Sequence, residues 1–291
     1  MKTFTGQSTV SDAWAEIIPD PTRKVAIKVN CQITGIYTKS KVVNCITDGL
    51  IVRGVSADNI VIYDRTNTAF EYAGFVKNTS NGIKVGEVTE LGGYTYPNDS
   101  GLYGMAKLLC GQTGQYDCDY LINVPCHKAI DGYAGVTLSM KNHYGTCYPN
   151  HSDIMNRIAI INALSQIKDK TRLIVLDAIF CEYKYFNGRG QSNIDITNNL
   201  MFATDPVALD EVGWQMIESL RAIHGLQPVD PTPDYIHIAA TDYGLGIDDP
   251  NQIEIFDIDF DESGEPILPS PPTGTEDSTP PSPPKGLRIS S

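Results

Sequence analysis

The chain has 291 residues, of which 41% are hydrophobic and 20% are charged, so it contains enough apolar material to bury a sizeable core. The 35 acidic residues outnumber the 22 basic ones, and the net charge of -13 disfavours nucleic acid and anionic lipid as partners. No stretch approaches the roughly 20 apolar residues of a membrane helix, and the N-terminus lacks the apolar run of a secretory signal. We expect a globular protein without a membrane span, cytoplasmic unless a signal has been removed, in which case it is secreted or displayed on a cell surface.

The seven cysteines are scattered, with no CxxC pair and no repeated spacing. Iron–sulfur clusters and structural zinc sites need closely spaced thiolates, so the sequence predicts neither. Buried, reduced thiols are the simpler interpretation. The alternative is a disulfide between Cys110 and Cys118 in an oxidising compartment.

A strand, a helix and a second strand are predicted near the N-terminus. Residues 25–30 (VAIKVN) form a β-branched run that ends in polar residues, which is typical of a buried parallel strand. Residues 40–53 carry apolar side chains near helical spacing, and Gly54 then provides a C-terminal stop. Residues 59–64 (NIVIYD) repeat the character of the first strand. A strand–helix–strand unit of this kind predicts an α/β fold.

The segment from about residue 75 to residue 116 reads differently, because it is rich in glycine and tyrosine. Short alternating stretches such as residues 83–88 (IKVGEV) predict hairpins in an irregular, β-containing insertion outside the main sheet. Residues 119–124 and 173–177 then restore the buried-strand pattern, separated by an amphipathic helix over residues 156–167.

The last predicted elements of the domain begin at Asp205, which is placed to cap a helix that has Pro206 at its first position and runs to about residue 223. Residues 235–240 are predicted to form a closing strand. We therefore expect a single α/β domain over residues 1–260, with a mostly parallel sheet and flanking helices. Residues 261–291 are rich in Pro, Ser and Thr and predict a linker or tail that leads to a further module.

Several segments taken in chain order resemble the domain of unknown function 362 family, over roughly residues 15–250. They are IKVN, NIVIYDR, YLINVP, AGVTLSMKNHYG, LIVLDA, GRGQ and ATDPVALD. The residues that match the motifs of the family are Lys28, Asn30, Asp64, Arg65, Lys141, Asn142, Gly145, His151, Asp177 and the stretch 205–210. One position departs from the family pattern of Lys-x-His, because Ile130 stands where the histidine is expected after Lys128, and His127 precedes the lysine. The resemblance implies an α/β fold, with some secreted or membrane-associated members, and no established reaction.

Polar residues at the ends of the predicted strands indicate a ligand site, because ligands of open α/β sheets bind beyond the carboxyl ends of the strands. We expect Lys28, Asn30, Lys128 and Asn142 to bind a small anionic ligand there, with Lys141, His151 and Asp177 as candidate catalytic residues. The alternative is structural: lysines and aspartates such as Asp64 neutralise one another, and the asparagines satisfy backbone groups.

The stretch KNHYG, residues 141–145, is predicted to end a helix that begins near residue 134, with Gly145 as its left-handed C-cap. It also contributes to a candidate site for a divalent metal ion, whose predicted ligands are His143, His151 and Asp177.

The sequence does not specify a reaction. It lacks GxGxxG after the first strand, GxSxG and HExxH, so it has no motif for a dinucleotide-binding protein, a serine hydrolase or a zincin. The first hypothesis is an α/β enzyme or metalloprotein that binds a small anionic ligand, a metal ion or both. The alternative is a non-catalytic binding module displayed on a surface.

Overall fold

The computed structural model describes residues 1–32, 36–65, 68–95, 104–185, 193–261, 266–267 and 287–290. The strands in these residues are β1 Val25–Val29, β2 Ile60–Asp64, β3 Lys84–Glu87, β4 Tyr120–Val124, β5 Cys126–Ile130, β6 Gly135–Thr137, β7 Thr171–Lys184, β8 Asn193–Ala203, β9 Ile255–Phe260, β10 Pro266–Ile267 and β11 Leu287–Ser290. The helices are α1 Lys2–Thr5, α2 Val10–Ile17, α3 Ser40–Arg53, α4 Ser139–Asn142, α5 Tyr144–Cys147, α6 Ile154–Ala163, α7 Ser165–Lys168, α8 Pro206–Ile223 and α9 Tyr235–Thr241.

These strands form a mixed, mostly parallel sheet in the order β10-β9-β11-β8-β7-β4-β1-β2-β3. β1 lies between β2 and β4 and is parallel to both, and β7 continues the parallel part beyond β4. β7 and β8 then pair in antiparallel fashion, and β5 pairs with β7 and β6 away from the main path. The predicted α/β class is confirmed.

Helices cover both faces of the sheet, which explains why its central strands are apolar on both sides. Val25 and Ile27 of β1 belong to a core cluster that includes Trp14 of α2 and Leu50 of α3. Ala26, on the opposite face of the same strand, belongs to a second cluster with residues of the segment after β3. A third cluster joins β7 to α8 and α9.

Two predicted helix boundaries are confirmed by the capping geometry. Gly54 ends α3 in the left-handed conformation, with φ at 98°. The Asp205 carboxylate accepts hydrogen bonds from the backbone N–H groups of Val207 and Ala208, and Pro206 begins α8.

The prediction that residues 75–116 lie outside the main sheet is wrong for β3. This strand is the parallel neighbour of β2, with Val85 opposite Ile62. Alternating residues suit a hairpin, but a strand buried at Lys84, Val85 and Gly86 also suits the edge of a covered sheet.

The strand predicted over residues 235–240 is also wrong, because these residues form α9. Tyr235, Ile236 and Ala239 are its buried residues, and their spacing suits one face of a helix. Short apolar runs do not distinguish a strand from a helix by periodicity alone.

KNHYG does not end a helix that begins near residue 134. The preceding residues form β6, which pairs with β5, and KNHYG is divided between α4 and α5. Gly145 lies within α5, and Tyr148 instead takes the left-handed position after that helix, with φ at 47°.

All seven cysteines are free. Five are buried, as expected for thiols that behave as small hydrophobes, whereas Cys45 is exposed and Cys110 is half-buried. Two short strands of the predicted tail, β10 and β11, pair with β9 and β8. None of the helices in the described ranges combines the length and the apolar character required to cross a bilayer.

Candidate functional site

A crevice of about 750 Å³ lies at the carboxyl ends of β1 and β2 and continues along β5, α4 and α5. Strand ends of parallel sheets are the expected position for a ligand site. Of the candidate site residues, the structure brings six together in its lining: Lys28, Asn30, Lys128, Lys141, Asn142 and His151.

The innermost part of the crevice is a buried ion pair. Lys28 Nζ lies 2.6 Å from Asp64 Oδ1, and both side chains are almost completely buried. The ammonium also donates to the carbonyl oxygen of Val29 at 2.6 Å. Asp64 in turn accepts from the backbone N–H groups of Cys31 and Arg65, each at 2.7 Å. Both charges are therefore well compensated by hydrogen bonds.

Asn142 connects this ion pair to the other amide side chains. Its Oδ1 accepts from Lys28 Nζ at 3.1 Å and from Asn30 Nδ2 at 3.2 Å. Its Nδ2 donates to Asn123 Oδ1 at 2.7 Å. Asn30 Oδ1 accepts from Lys128 Nζ at 3.2 Å, so a continuous network orients both lysines.

The crevice is strongly cationic although the protein as a whole is acidic. Four cationic side chains line it, namely Lys28, Arg65, Lys128 and Lys141, whereas Asp64 is the single carboxylate in the described lining. Lys28 is paired with Asp64, and the described lining still carries more positive than negative charge, which attracts an anion.

Lys141 has unusual surroundings for a lysine. It is only 9% exposed, and within the described residues no acceptor lies within hydrogen-bond distance of its Nζ. The ammonium lies 5.6 Å from the centroid of the Tyr144 ring, close enough for a cation–π contact. Burial, together with the charges of Lys128 and Arg65, lowers the pKa of Lys141 to about 8.

Arg65 also lines the crevice. Its Cζ is 5.0 Å from the centroid of the Tyr148 ring, and its Nε is buried without a partner among the residues described. A buried guanidinium N–H without an acceptor is uncommon in folded proteins. Arg65, which lines the crevice, therefore has one N–H group without an acceptor among the described residues.

Aromatic side chains line the outer part of the crevice. The His151 ring lies 5.5 Å from the Tyr144 ring and 5.8 Å from the Tyr133 ring, between centroids, and Tyr148 and Tyr185 complete the group. Burial, with the charges of Lys141 and Arg65, lowers the pKa of His151, which favours a neutral imidazole. The sequence predictions did not include these tyrosines, although three of them cluster between residues 133 and 148.

The position of α4 depends on Asp210 of α8. Its carboxylate accepts from the backbone N–H groups of Ser139 at 2.7 Å and Met140 at 3.1 Å, and from the Tyr235 hydroxyl at 3.0 Å. These contacts hold the first residues of the helix that carries Lys141.

The glycine of KNHYG allows α5 to approach the ion pair closely. A Cβ added to Gly145 would lie 2.9 Å from Asp64 Oδ1 and from Lys28 Nζ. Such contacts are too short for a carbon atom, so any other residue at this position would displace the buried ion pair.

Two predicted site residues do not reach the crevice. Asp177 lies within β7 and not at its end, and its carboxylate accepts from the backbone N–H groups of Lys39 at 2.7 Å and Ile179 at 3.3 Å. Burial raises the pKa of this carboxyl. His143 lines a separate small cavity, and its Nδ1 lies 3.2 Å from Thr146 Oγ1.

The predicted metal ligands His143, His151 and Asp177 are therefore not brought together. Throughout the described ranges, no group of three or more His, Cys, Asp or Glu side chains could hold a metal ion. Burial lowers the pKa of His143 to about 3, which is typical of a neutral core histidine. The family-matched segment GRGQ, residues 188–191, lies outside the described residues.

Comparison with known proteins identifies the family. Residues 25–215, more than half of the chain, match the model of the family described as "Domain of unknown function (DUF362)", and the chain belongs to that family. No curated protein and no solved structure matches the chain.

Proposed function

We propose that this member of the domain of unknown function 362 family binds a small anionic ligand in the crevice at the ends of β1 and β2. The observation that carries the proposal is the excess of cations over carboxylates in the described lining, with the Lys141 ammonium buried and lacking an acceptor. A bound carboxylate or phosphate would supply that acceptor. Charge-assisted hydrogen bonds of this kind are among the stronger polar interactions of proteins.

The lining favours a ligand with a charged end and a less polar body. Arg65 and Lys141 would donate hydrogen bonds to the charged end of the ligand. Asn142 and Asn30 hold the neighbouring lysines Lys28 and Lys128 in position. The tyrosines and His151 provide apolar surface farther out. The volume of about 750 Å³ lies within the range of about 300–1,000 Å³ that is typical of small-molecule sites.

Binding of simple anions tests this proposal. Thermal unfolding and titration calorimetry at pH 7 with phosphate, sulfate, succinate and glutarate should show a saturable rise in the unfolding temperature with at least one of them. Lys141→Met should remove that response and leave the ligand-free protein equally or more stable, because it removes a buried charge that has no acceptor among the described residues.

Lys41→Met is the matched control, since Lys41 is exposed on α3 and lies outside the crevice. It should retain the full anion response. A response that is equal in both variants, or no response to any of the four anions, would contradict the proposal. Mass spectrometry of the recovered ligand then separates an enzyme, which alters it, from the alternative of a non-catalytic binding module.

A further inference from the structure

Lys141 differs from the other cations of the crevice in what surrounds its charge. Lys28 is paired with Asp64, and Lys128 donates to Asn30. Arg65 carries a delocalised guanidinium group and not an amine. Lys141 alone among the described lysines of the crevice has neither a carboxylate nor an amide acceptor, and its charged neighbours are the cations Lys128 and Arg65.

These surroundings favour the neutral amine. With a pKa of about 8, about a tenth of the Lys141 side chains are unprotonated at pH 7, far more than for an ordinary lysine with a pKa near 10.4. A neutral lysine amine is a nucleophile toward carbonyl carbon, and burial beside other cations is a known way to produce one.

We propose that Lys141 is a nucleophile that forms an imine with the carbonyl carbon of an anionic 2-oxo acid held in the crevice. This inference rests on the proposed anion site and names the class of its ligand. Arg65 and Lys128 would bind the carboxylate next to the carbonyl group, which leaves the carbonyl carbon facing Lys141.

The reaction needs no oxidant and no further reactant. The lone pair of Nζ forms a C–N bond to the carbonyl carbon, and the π electrons of C=O move to oxygen. One proton passes from nitrogen to oxygen to give a carbinolamine, and loss of one water molecule then leaves C=N. His151, a neutral imidazole beside Tyr144 at the mouth of the crevice, is placed to carry these protons.

Reductive trapping tests the inference. The full chain is incubated with glyoxylate, pyruvate or 2-oxoglutarate and reduced with borohydride, and the adduct is located by intact mass and peptide mapping. We expect one adduct per chain, on Lys141, with a yield that rises with pH around a midpoint near 8. Lysines with the ordinary pKa of about 10.4 should react only at higher pH.

Lys141→Arg keeps the positive charge but cannot form an imine, and Lys41→Arg is its matched control. We expect Lys141→Arg to lose the adduct and Lys41→Arg to keep it. Peptide mapping of the unaltered protein gives the same answer without either variant, so a folding defect in Lys141→Arg would not affect the test.

Glutarate, which resembles 2-oxoglutarate without the carbonyl group, separates this inference from the proposed function. If glutarate stabilises the protein but no 2-oxo acid modifies Lys141, the imine is excluded and the anion site remains. If neither glutarate nor any of the other anions and oxo acids binds, both proposals fail. An adduct spread over exposed lysines at equal yield also overturns the inference.

Discussion

Lys28 and Lys141 show how two lysines of one crevice differ in their surroundings. For Lys28, the structural interpretation of the sequence holds, since its charge is compensated by Asp64 and by two further acceptors. For Lys141 that interpretation does not hold, because no carboxylate is paired with it among the described residues. The same residue type is thus charge-compensated at one position and has no carboxylate partner among the described residues at the other.

His127 illustrates a buried histidine that is held neutral. Its Nε2 lies 2.7 Å from the carbonyl oxygen of Gly213, which requires the proton on Nε2, and its Nδ1 has no partner among the described residues. Burial lowers the pKa of His127 to about 4. In an unfolded chain the pKa returns to about 6.5, so the unfolded state binds the extra proton between these values.

We therefore predict that His127 makes stability depend on pH. Its contribution is fully present above about pH 6.5 and is lost as the pH falls toward 4, with a slope of at most about 1.4 kcal/mol per pH unit. Urea unfolding from pH 8 to pH 4.5 should show a smaller loss for His127→Gln than for the unaltered protein.

The difference in pH dependence of stability between His127→Gln and the unaltered protein reports on His127, because the other titrating groups contribute equally to both. Asp210, whose pKa burial raises to about 7, has the opposite effect and loses stability as the pH rises from about 4 to 7. His237→Gln is the control, since His237 is exposed and pairs with Asp248 at the surface. Parallel curves for His127→Gln and the unaltered protein would refute the prediction.

At the scale of elements, the short helices α4 and α5 position the site, although neither is long enough to be stable alone. They are held from two sides, by Asp210 of α8 at the start of α4 and by the close approach of Gly145 to the ion pair. The family motif at residues 205–210 has a structural explanation in these contacts. Asp205 caps α8, and Asp210 on the same helix holds α4.

We predict that Asp210→Asn destabilises the protein by about 1–3 kcal/mol and also weakens anion binding. An asparagine keeps one acceptor oxygen but turns an NH₂ group toward one of the N–H groups that now donate to Asp210. The start of α4 would then be held less firmly, and this helix carries Lys141 and Asn142. Urea unfolding and calorimetry with the tightest-binding simple anion measure the two effects.

Asp205→Asn is the control for anion binding, because Asp205 lies on the same helix and contacts neither α4 nor the crevice. It should keep the helix cap but lower stability, since its NH₂ group would face the backbone N–H of Ile247, and it should leave anion affinity unchanged. If Asp210→Asn lowers stability but binds the anion normally, α4 does not depend on Asp210 for its position.

At the scale of the whole molecule, the sheet connects core clusters that lie on different helices. Leu50 belongs to the cluster of α2 and α3, and Leu176 belongs to the cluster of β7, α8 and α9. Both leucines are fully buried. β7 pairs with β4 within the same sheet, so the two clusters share a continuous set of backbone hydrogen bonds.

We predict that Leu50→Ala and Leu176→Ala each lower the unfolding free energy by about 2–5 kcal/mol, and that both shift one common transition. Calorimetry and urea unfolding followed by fluorescence and circular dichroism measure this. Ile223→Ala, at an exposed position at the end of α8, should stay within about 0.5 kcal/mol of the unaltered protein. Two transitions, each sensitive to one of the leucines, would show that the clusters unfold independently.

The sequence by itself determined the parts of the fold that depend on local pattern. The strands β1 and β2 were predictable from residues 25–30 and 59–64, because a strand buried on both faces shows as a short apolar run. The start of α8 was predictable from Asp205 and Pro206, because helix capping depends on a few neighbouring residues. The resemblance to the family and the expected strand ends also indicated six of the residues that line the crevice.

Only the tertiary structure decided which polar residues share that crevice, how deeply they are buried and whether their charges are compensated. Asp177 has the sequence pattern of a strand end, yet β7 continues to Lys184 to pair with β8, and this pairing keeps Asp177 within the strand. The separation of Lys141 from the described carboxylates likewise depends on the packing of α4 against residues distant in the chain. Charge compensation and burial are properties of the folded surroundings, which short-range pattern does not encode.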